Sequence, residues 1–367
     1  MQQPTVPKIS FLCATFNHET YVRDFLKSIL NQTIKEWELV IVDDCSRDGN
    51  VAKIREFIAE HPECEIKLFV HEKNEGIAGA FNTGILMVSS SVVATIDSDD
   101  ELKPEYAERV LRAFGENPDA VAVYPTLEMV DACGKPIGRK FELPYHLKPQ
   151  EVFSYLFLQR NDLPQPGAAF RTDVFRSFIP QHRGMLQCLD ARRNLMAAFN
   201  GQVVLLKDCL VKYRVLQQKK SAGARTDAVK LRQDVETQIL MDTGRDLIGN
   251  DPHRLHACFP RHPMLKGVAV ESETVVFWLG KLALTAREYP RRFWGLRQIA
   301  DCLENPVLAD RIHESHGYDF KAYLDDASSL VAANMLLRKY KKYRKSFKIC
   351  LWIACFSLGL LVMILFV

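Results

Sequence analysis

The sequence lacks any pair of cysteines at metal-ligand or redox spacing. Its ten cysteines stand singly, and several, such as Cys13 and Cys209, lie inside apolar runs. A thiol there behaves as a small hydrophobe, so the pattern argues against a disulfide framework or a zinc site and for a reducing compartment. Internal repeats and low-complexity tracts are also missing, which removes repeat architectures. The globular part has no basic excess either. The formal net charge is +3, yet Arg338, Lys339, Lys341, Lys342, Arg344, Lys345 and Lys348 crowd into residues 338–348 with no acidic residue among them. The remainder is mildly acidic, which excludes a general nucleic-acid partner. No G-x-G-x-x-G turn follows the first strand-like run, so a dinucleotide-binding dehydrogenase is disfavoured. The opening MQQPTVP leads directly into that run, and no signal peptide is expected.

What is present is an ordinary globular composition, 47% hydrophobic and 25% charged over 367 residues, enough for one large domain or two smaller ones. Residues 8–125 alternate strand-like and helix-like patterns. Strands are expected at 8–14, 39–42, 66–71, 92–96 and 120–124, with helices at 21–30, 51–59 and 77–88. That order predicts an α/β fold, a mostly parallel sheet with helices on both faces. Ligands on such sheets sit beyond the carboxyl ends of the strands. The Pro-rich stretch 135–166 reads as loop with a helix near 152–158. From about Ser221 the pattern turns helical, as in 228–240, 274–286 and 320–337.

Residues 349–367 form a run of nineteen without a charge, about 28 Å long as a helix. Apolar on every side and preceded by the basic cluster, it is expected to be a single-pass C-terminal membrane anchor. The body of the protein would then lie on the cytoplasmic side.

Four strand ends carry polar residues of one kind. They are Ala14-Thr15-Phe16-Asn17-His18-Glu19, Asp43-Asp44-Cys45-Ser46-Arg47-Asp48-Gly49, Asn74-Glu75-Gly76 through Asn82, and Asp97-Ser98-Asp99-Asp100. Singly they have plain readings as helix caps and turns. The last is harder to explain so. Three carboxylates in four positions repel one another unless a cation neutralises them, and Mg²⁺ or Mn²⁺ takes carboxylate oxygens while bridging to a diphosphate.

Together these motifs, in this order and spacing, closely resemble glycosyltransferase family 2. The resemblance extends through Val121–Gly138, Gly167–Arg171, Leu189-Asp190, and Tyr213-Arg214 with Ser221. It implies a GT-A type fold, Rossmann-like with flanking helices, and an inverting enzyme with a nucleotide-diphosphate sugar donor. It further implies a divalent cation, Mg²⁺ or Mn²⁺, and a glycan or lipid-linked acceptor. The implied domains are a catalytic part (1–222), a mainly helical accessory region (223–337), a basic juxtamembrane segment (338–348) and a transmembrane helix (349–367).

By the same resemblance Thr15, Phe16, Asn17, Glu19 and Asp44 serve the nucleotide, and Asn74, Gly76 and Asn82 the ribose and diphosphate. Asp97, Ser98 and Asp99 form the D-x-D motif, with Asp99 and Asp97 at the metal and Asp100 beside the sugar. Asp190 is the general base; a normal rate in Asp190→Asn would make Asp173 or Asp162 the next acids to try. Two positions depart from the family pattern: Cys45 replaces a small residue, and Leu189 replaces the first acid of a Glu-Asp pair. A catalytically inactive nucleotide-sugar-binding protein and a polysaccharide synthase component are the alternatives; against the second, no Q-x-x-R-W motif is present.

Overall fold

The computed structural model describes residues 7–216 and 226–330. The chain divides into two compact units, with the break between Ala269 and Val270.

In the first unit, apolar β-rich runs become β1 (Ile9–Thr15), β2 (Trp37–Asp43), β3 (Ile66–Val70) and β4 (Val92–Asp97), mutually parallel in the order β3-β2-β1-β4. The crossovers carry α1 (Val22–Leu30), α2 (Asn50–Glu60) and α3 (Gly76–Gly84). Parallel strands buried on both faces read as continuous apolar runs, and β1 and β2 are buried almost throughout. The helix expected over 77–88 ends at Gly84 and passes into one 3₁₀ turn. A Cβ on Gly84 would lie 2.4 Å from Leu12 Cδ1, so glycine lets α3 approach β1.

The chain continues through β5 (Glu101–Leu102), α4 (Tyr106–Glu116), β6 (Ala120–Val130), β7 (Pro136–Phe141), α5 (Val152–Leu158), β8 (Ala168–Arg171), α6 (Thr172–Arg176), α7 (Leu189–Asn200) and β9 (Gln202–Arg214). Two helices, α8 (Asp227–Ile248) and α9 (Pro252–Cys258), end the unit. The completed sheet has nine strands and is mixed, which corrects the expectation of a mostly parallel one. β8 runs antiparallel between β4 and β6, β5 antiparallel to β9, and β7 antiparallel to β6. The four residues of β8 are too few, and their alanines too small, to register as a strand by pattern. One core spans Phe11, Ile41 and Val123 of the sheet and Phe25 and Val110 of α1 and α4. Each such side chain contributes about 1.5–3 kcal/mol by leaving water.

The second unit is helical: α10 (Val275–Leu284), α11 (Tyr289–Glu304), α12 (Pro306–His316), and residues 320–330. Phe277, Ile299, Ile312 and Tyr318 form its core.

Among the described residues no helix is long and apolar enough to cross a membrane. The longest element, α8, carries charged residues along its whole length. The anchor expected at 349–367, with its basic approach at 338–348, lies outside the described residues, as does Ser221. The membrane localisation built on that anchor is therefore withdrawn.

Candidate active site

The carboxyl ends of β1, β2 and β4 open on a cavity of about 780 Å³. Eight of the residues singled out in the sequence line it together: Thr15, Phe16, Asp44, Asn74, Gly76, Asp97, Asp99 and Asp190. Seven come from strand ends or the turn and first residue of α3, where parallel topology gathers them. Asp190 comes from the first turn of α7.

The nucleotide-side residues are held by backbone N–H groups. Asp44 Oδ1 accepts from Glu75 N–H and from the ring of His71, both at 2.8 Å, and Oδ2 accepts from Gly76 N–H at 2.8 Å. Asn74 Nδ2 donates to the Asp44 carbonyl at 3.1 Å. The other ring nitrogen of His71, Nε2, faces Thr83 Oγ1 at 2.9 Å. Gly76 has φ +76°, a region that disfavours side chains.

Five other singled-out residues do not line the cavity. Asn17, at φ +54°, accepts from Arg47 N–H at 2.8 Å and donates its own N–H to Ser46. Glu19 accepts from Gly49 N–H at 3.0 Å and pairs with Lys53; those two partners hold its carboxyl below the usual range. Asn82 brackets the backbone of Gln181, accepting from its N–H at 2.7 Å and donating to its carbonyl at 3.2 Å. Ser98 is buried, donating to Thr15 Oγ1 at 2.7 Å and facing His18 Nδ1. Asp100 is buried and accepts from Arg214 N–H at 2.7 Å, and burial together with Asp99 and Asp97 pushes it well above the carboxylate range. Its other oxygen has no hydrogen-bond partner among the described residues. These five latch the loops on which the lining residues stand.

Burial, followed by repulsion from Asp99, raises Asp97 to about 7, against the opposing pull of Arg193 and a 2.6 Å hydrogen bond from Gln165 Nε2. Burial also raises Asp190, opposed by Arg193, by Ala191 N–H at 2.7 Å and by Asn161 Nδ2 at 3.0 Å. The other acids considered as base stand apart. Asp162 bonds Tyr155 and Arg160, Asp173 bonds the N–H of Val174, and neither lines the cavity.

Asp97 and Asp99 make no ion pair among the described residues, and no group of three or more His, Cys, Asp or Glu there is arranged to hold a metal. Two crowded carboxylates open to a cavity still suit Mg²⁺ or Mn²⁺, which bind through one or two carboxylates and keep sites for water and substrate phosphates.

Pattern reading missed Gln165, Asn161, Arg193 and Asn194, and gave Arg214 of the Tyr213-Arg214 motif no role. Arg193 and Asn194 stand three and four positions after Asp190, the spacing that shares one helix face. Gln165 is the polar residue between Pro164 and Pro166. Arg214 clamps the acidic turn: Nε donates to the Asp99 carbonyl at 2.8 Å, and Nη2 to Glu101 at 2.9 Å.

The family model described as Glycosyl transferase family 2 matches residues 10–178. An uncharacterized glycosyltransferase of Nostoc is 29% identical over 213 residues, 57% of this chain and 65% of the relative. The chain thus spans less than two thirds of that relative, and 42% and 20% of two others. The structure of S. aureus TarS 1–349 in complex with UDP-GlcNAc has a TM-score of 0.52 at 15% identity, covering 80% of this chain and 88% of that one. The mannosyltransferase PcManGT from Pyrobaculum calidifontis, solved with GDP-Man and Mn²⁺, has a TM-score of 0.50 at 16% identity over 93% and 84%. Identities this low speak for the fold alone. Residues 10–178 are a glycosyltransferase domain of family 2, carried on a GT-A-like α/β sheet.

Proposed function

We propose that the enzyme transfers a sugar, with inversion, from a nucleotide-diphosphate donor to a hydroxyl of a glycan or lipid-linked acceptor, with Asp190 as general base. The observation that carries this reading is that Asp190 lines the same cavity as Asp97 and Asp99. In this reading residues 1–222 carry the chemistry and 223–337 support it. The nucleotide sits against Thr15, Phe16 and Asp44, whose Oδ2 accepts one hydrogen bond among the described residues. Asn74 and Gly76 border the ribose and diphosphate. UDP-GlcNAc and GDP-Man in the related folds support a donor of this kind.

Asp97 and Asp99 would hold Mg²⁺ or Mn²⁺, which when bound offsets the charge on the departing diphosphate. Asp190, its Oδ2 oriented by Asn161, takes the acceptor hydroxyl proton as the new C–O bond forms. The anomeric C–O bond breaks on the opposite face and its electrons leave with the diphosphate, so one displacement inverts the centre. No acid is needed for this leaving group, in contrast to glycoside hydrolysis, where two carboxyls share the work.

A screen of nucleotide sugars for metal-dependent release of nucleoside diphosphate tests the reading. Asp190→Asn keeps the shape and removes the basicity. It should lower turnover by about two to four orders of magnitude while donor binding persists. Unchanged turnover in that variant would remove Asp190 from the role. A chain that binds donor but turns over none would be a binding protein.

A further inference from the structure

Arg193 stands out among the buried groups. Its side chain is 1% exposed, yet it carries a full charge, and its Nε and Nη1 have no hydrogen-bond partner among the described residues. The guanidinium lies 4.5 Å from the Phe81 ring centre and 5.8 Å from that of Phe175. Its one hydrogen bond runs from Nη2 to Gln165 Oε1. Gln165 in turn donates from Nε2 to Asp97 Oδ1 at 2.6 Å, so the amide is a two-way connector from Arg193 to the acidic turn after β4. Asp190 lies one turn back along α7 on the same face.

A hydrophobic side chain of similar volume would pack between two phenylalanine rings at lower cost than a cation with two unpaired N–H groups. Packing therefore does not account for the charge. The acidic groups acting on Arg193 are Asp190 and Asp97, with the Tyr124 phenol behind them. Asp190 also acts on Asp97, and Tyr213 lines the same cavity as both. Arg193 is thus linked to Asp97 of the acidic turn through Gln165 and shares a face of α7 with Asp190.

We propose that Arg193 is a positioning residue that joins the two halves of the site. It fixes Asp97 through Gln165 and holds the neighbouring Asp190 carboxylate in place through its charge. This rests on the functional reading above. The joint makes the two carboxylates one unit, so a disturbance on either side is felt on the other.

The experiment is a pair of double-mutant cycles on the full chain. In the first, melting at pH 7.5 is compared for wild type, Arg193→Met, Asp190→Asn and the double variant. With Arg193 gone, Asp190 is an uncompensated buried charge, so Asp190→Asn should raise the melting temperature in the Arg193→Met background and lower it in wild type. The same sign in both backgrounds overturns the proposal, because loss of packing alone would not reverse it.

In the second cycle, binding of UDP and of GDP with Mn²⁺ is measured for Gln165→Leu and Arg193→Met. Gln165→Leu should weaken binding about tenfold in wild type, as expected for one hydrogen bond to a charged group. It should have no further effect once Arg193 is replaced. Additive losses, or binding equal to wild type, overturn the proposal alone. If wild type binds neither nucleotide, the functional reading falls and the positioning role with it. Should Arg193→Met fail to fold, Arg193→Lys keeps the charge and drops the planar fork. Gln165→Leu should then cause no further loss in the Arg193→Lys background, and the melting reversal should not appear; a further tenfold loss from Gln165→Leu in that background counts against the proposal.

Discussion

The two ends of the parallel strands treat buried carboxylates in opposite ways. At the end away from the cavity, Glu38 on β2 is fully buried and fully served. Its Oε1 accepts from the Ser10 hydroxyl, from Ser89 N–H at 2.5 Å and Ser89 Oγ at 2.8 Å, and its Oε2 accepts from Lys67 at 2.6 Å. Burial works against its charge, but Lys67, Ser10 and Ser89 outweigh it and hold the carboxyl below the usual range. At the cavity end, Asp97, Asp100 and Asp190 are raised, and one Asp100 oxygen is unpartnered among the described residues. Buried polar groups are normally satisfied. The contrast therefore separates a carboxylate whose charge the surrounding donors support from carboxylates whose charge burial opposes.

The sharpest way to break the contrast is Asp99→Ala. It should cut transfer by about three orders of magnitude or more and weaken binding of a nucleoside diphosphate with Mn²⁺. Melting of the free protein should hardly fall. Full activity in excess chelator would sink the D-x-D assignment.

Glu38→Gln tests the other end. Glutamine keeps one oxygen to accept from Ser10 and Ser89 but turns an amide NH2 towards Lys67, and should cost about 1–3 kcal/mol in a denaturant titration. Per folded molecule, nucleotide binding should be unaffected. A drop in binding that exceeds the unfolded fraction would show that the two ends are not independent.

The last test concerns pH. Asp97 lies at about 7 when folded, against a reference value of 3.8. Between those values the folded state binds more protons than the unfolded state. Its stabilising proton is therefore fully present below about 4 and is lost as pH rises towards 7. Stability of the free protein should decline over that window, less so in Asp97→Asn, and Mn²⁺ should restore more stability at pH 8 than at pH 5. An Asp97→Asn melting profile parallel to wild type would contradict the raised value.

The four strand-end motifs were legible because each is local: a strand, a turn and a few polar residues fixed by chain order. Their residue types came through, and the directions in which they point did not. Asn17 turns away from the cavity through a positive φ, and Asp100 and Asn82 through partners more than ninety residues distant. Gln165 and Arg193 were invisible for a related reason. A glutamine between prolines and an arginine on a helix gain their meaning only when loop and helix meet. The short β8 was hidden because its pattern is four residues long. Asp190 was reached by resemblance, since a single acid at a helix start has no periodic signature.

The placement of β8 has a practical consequence for dissecting the protein. It fills the gap between β4 and β6, although it is made after both. A fragment ending before Ala168 would retain every donor-side motif yet leave both of those strands with open edges. Unpaired edges of buried, apolar strands invite pairing with other chains. The shortest workable fragment is thus dictated by sheet closure: it must run through β9, which pairs with β6 along its length, and so includes Asp190 of α7.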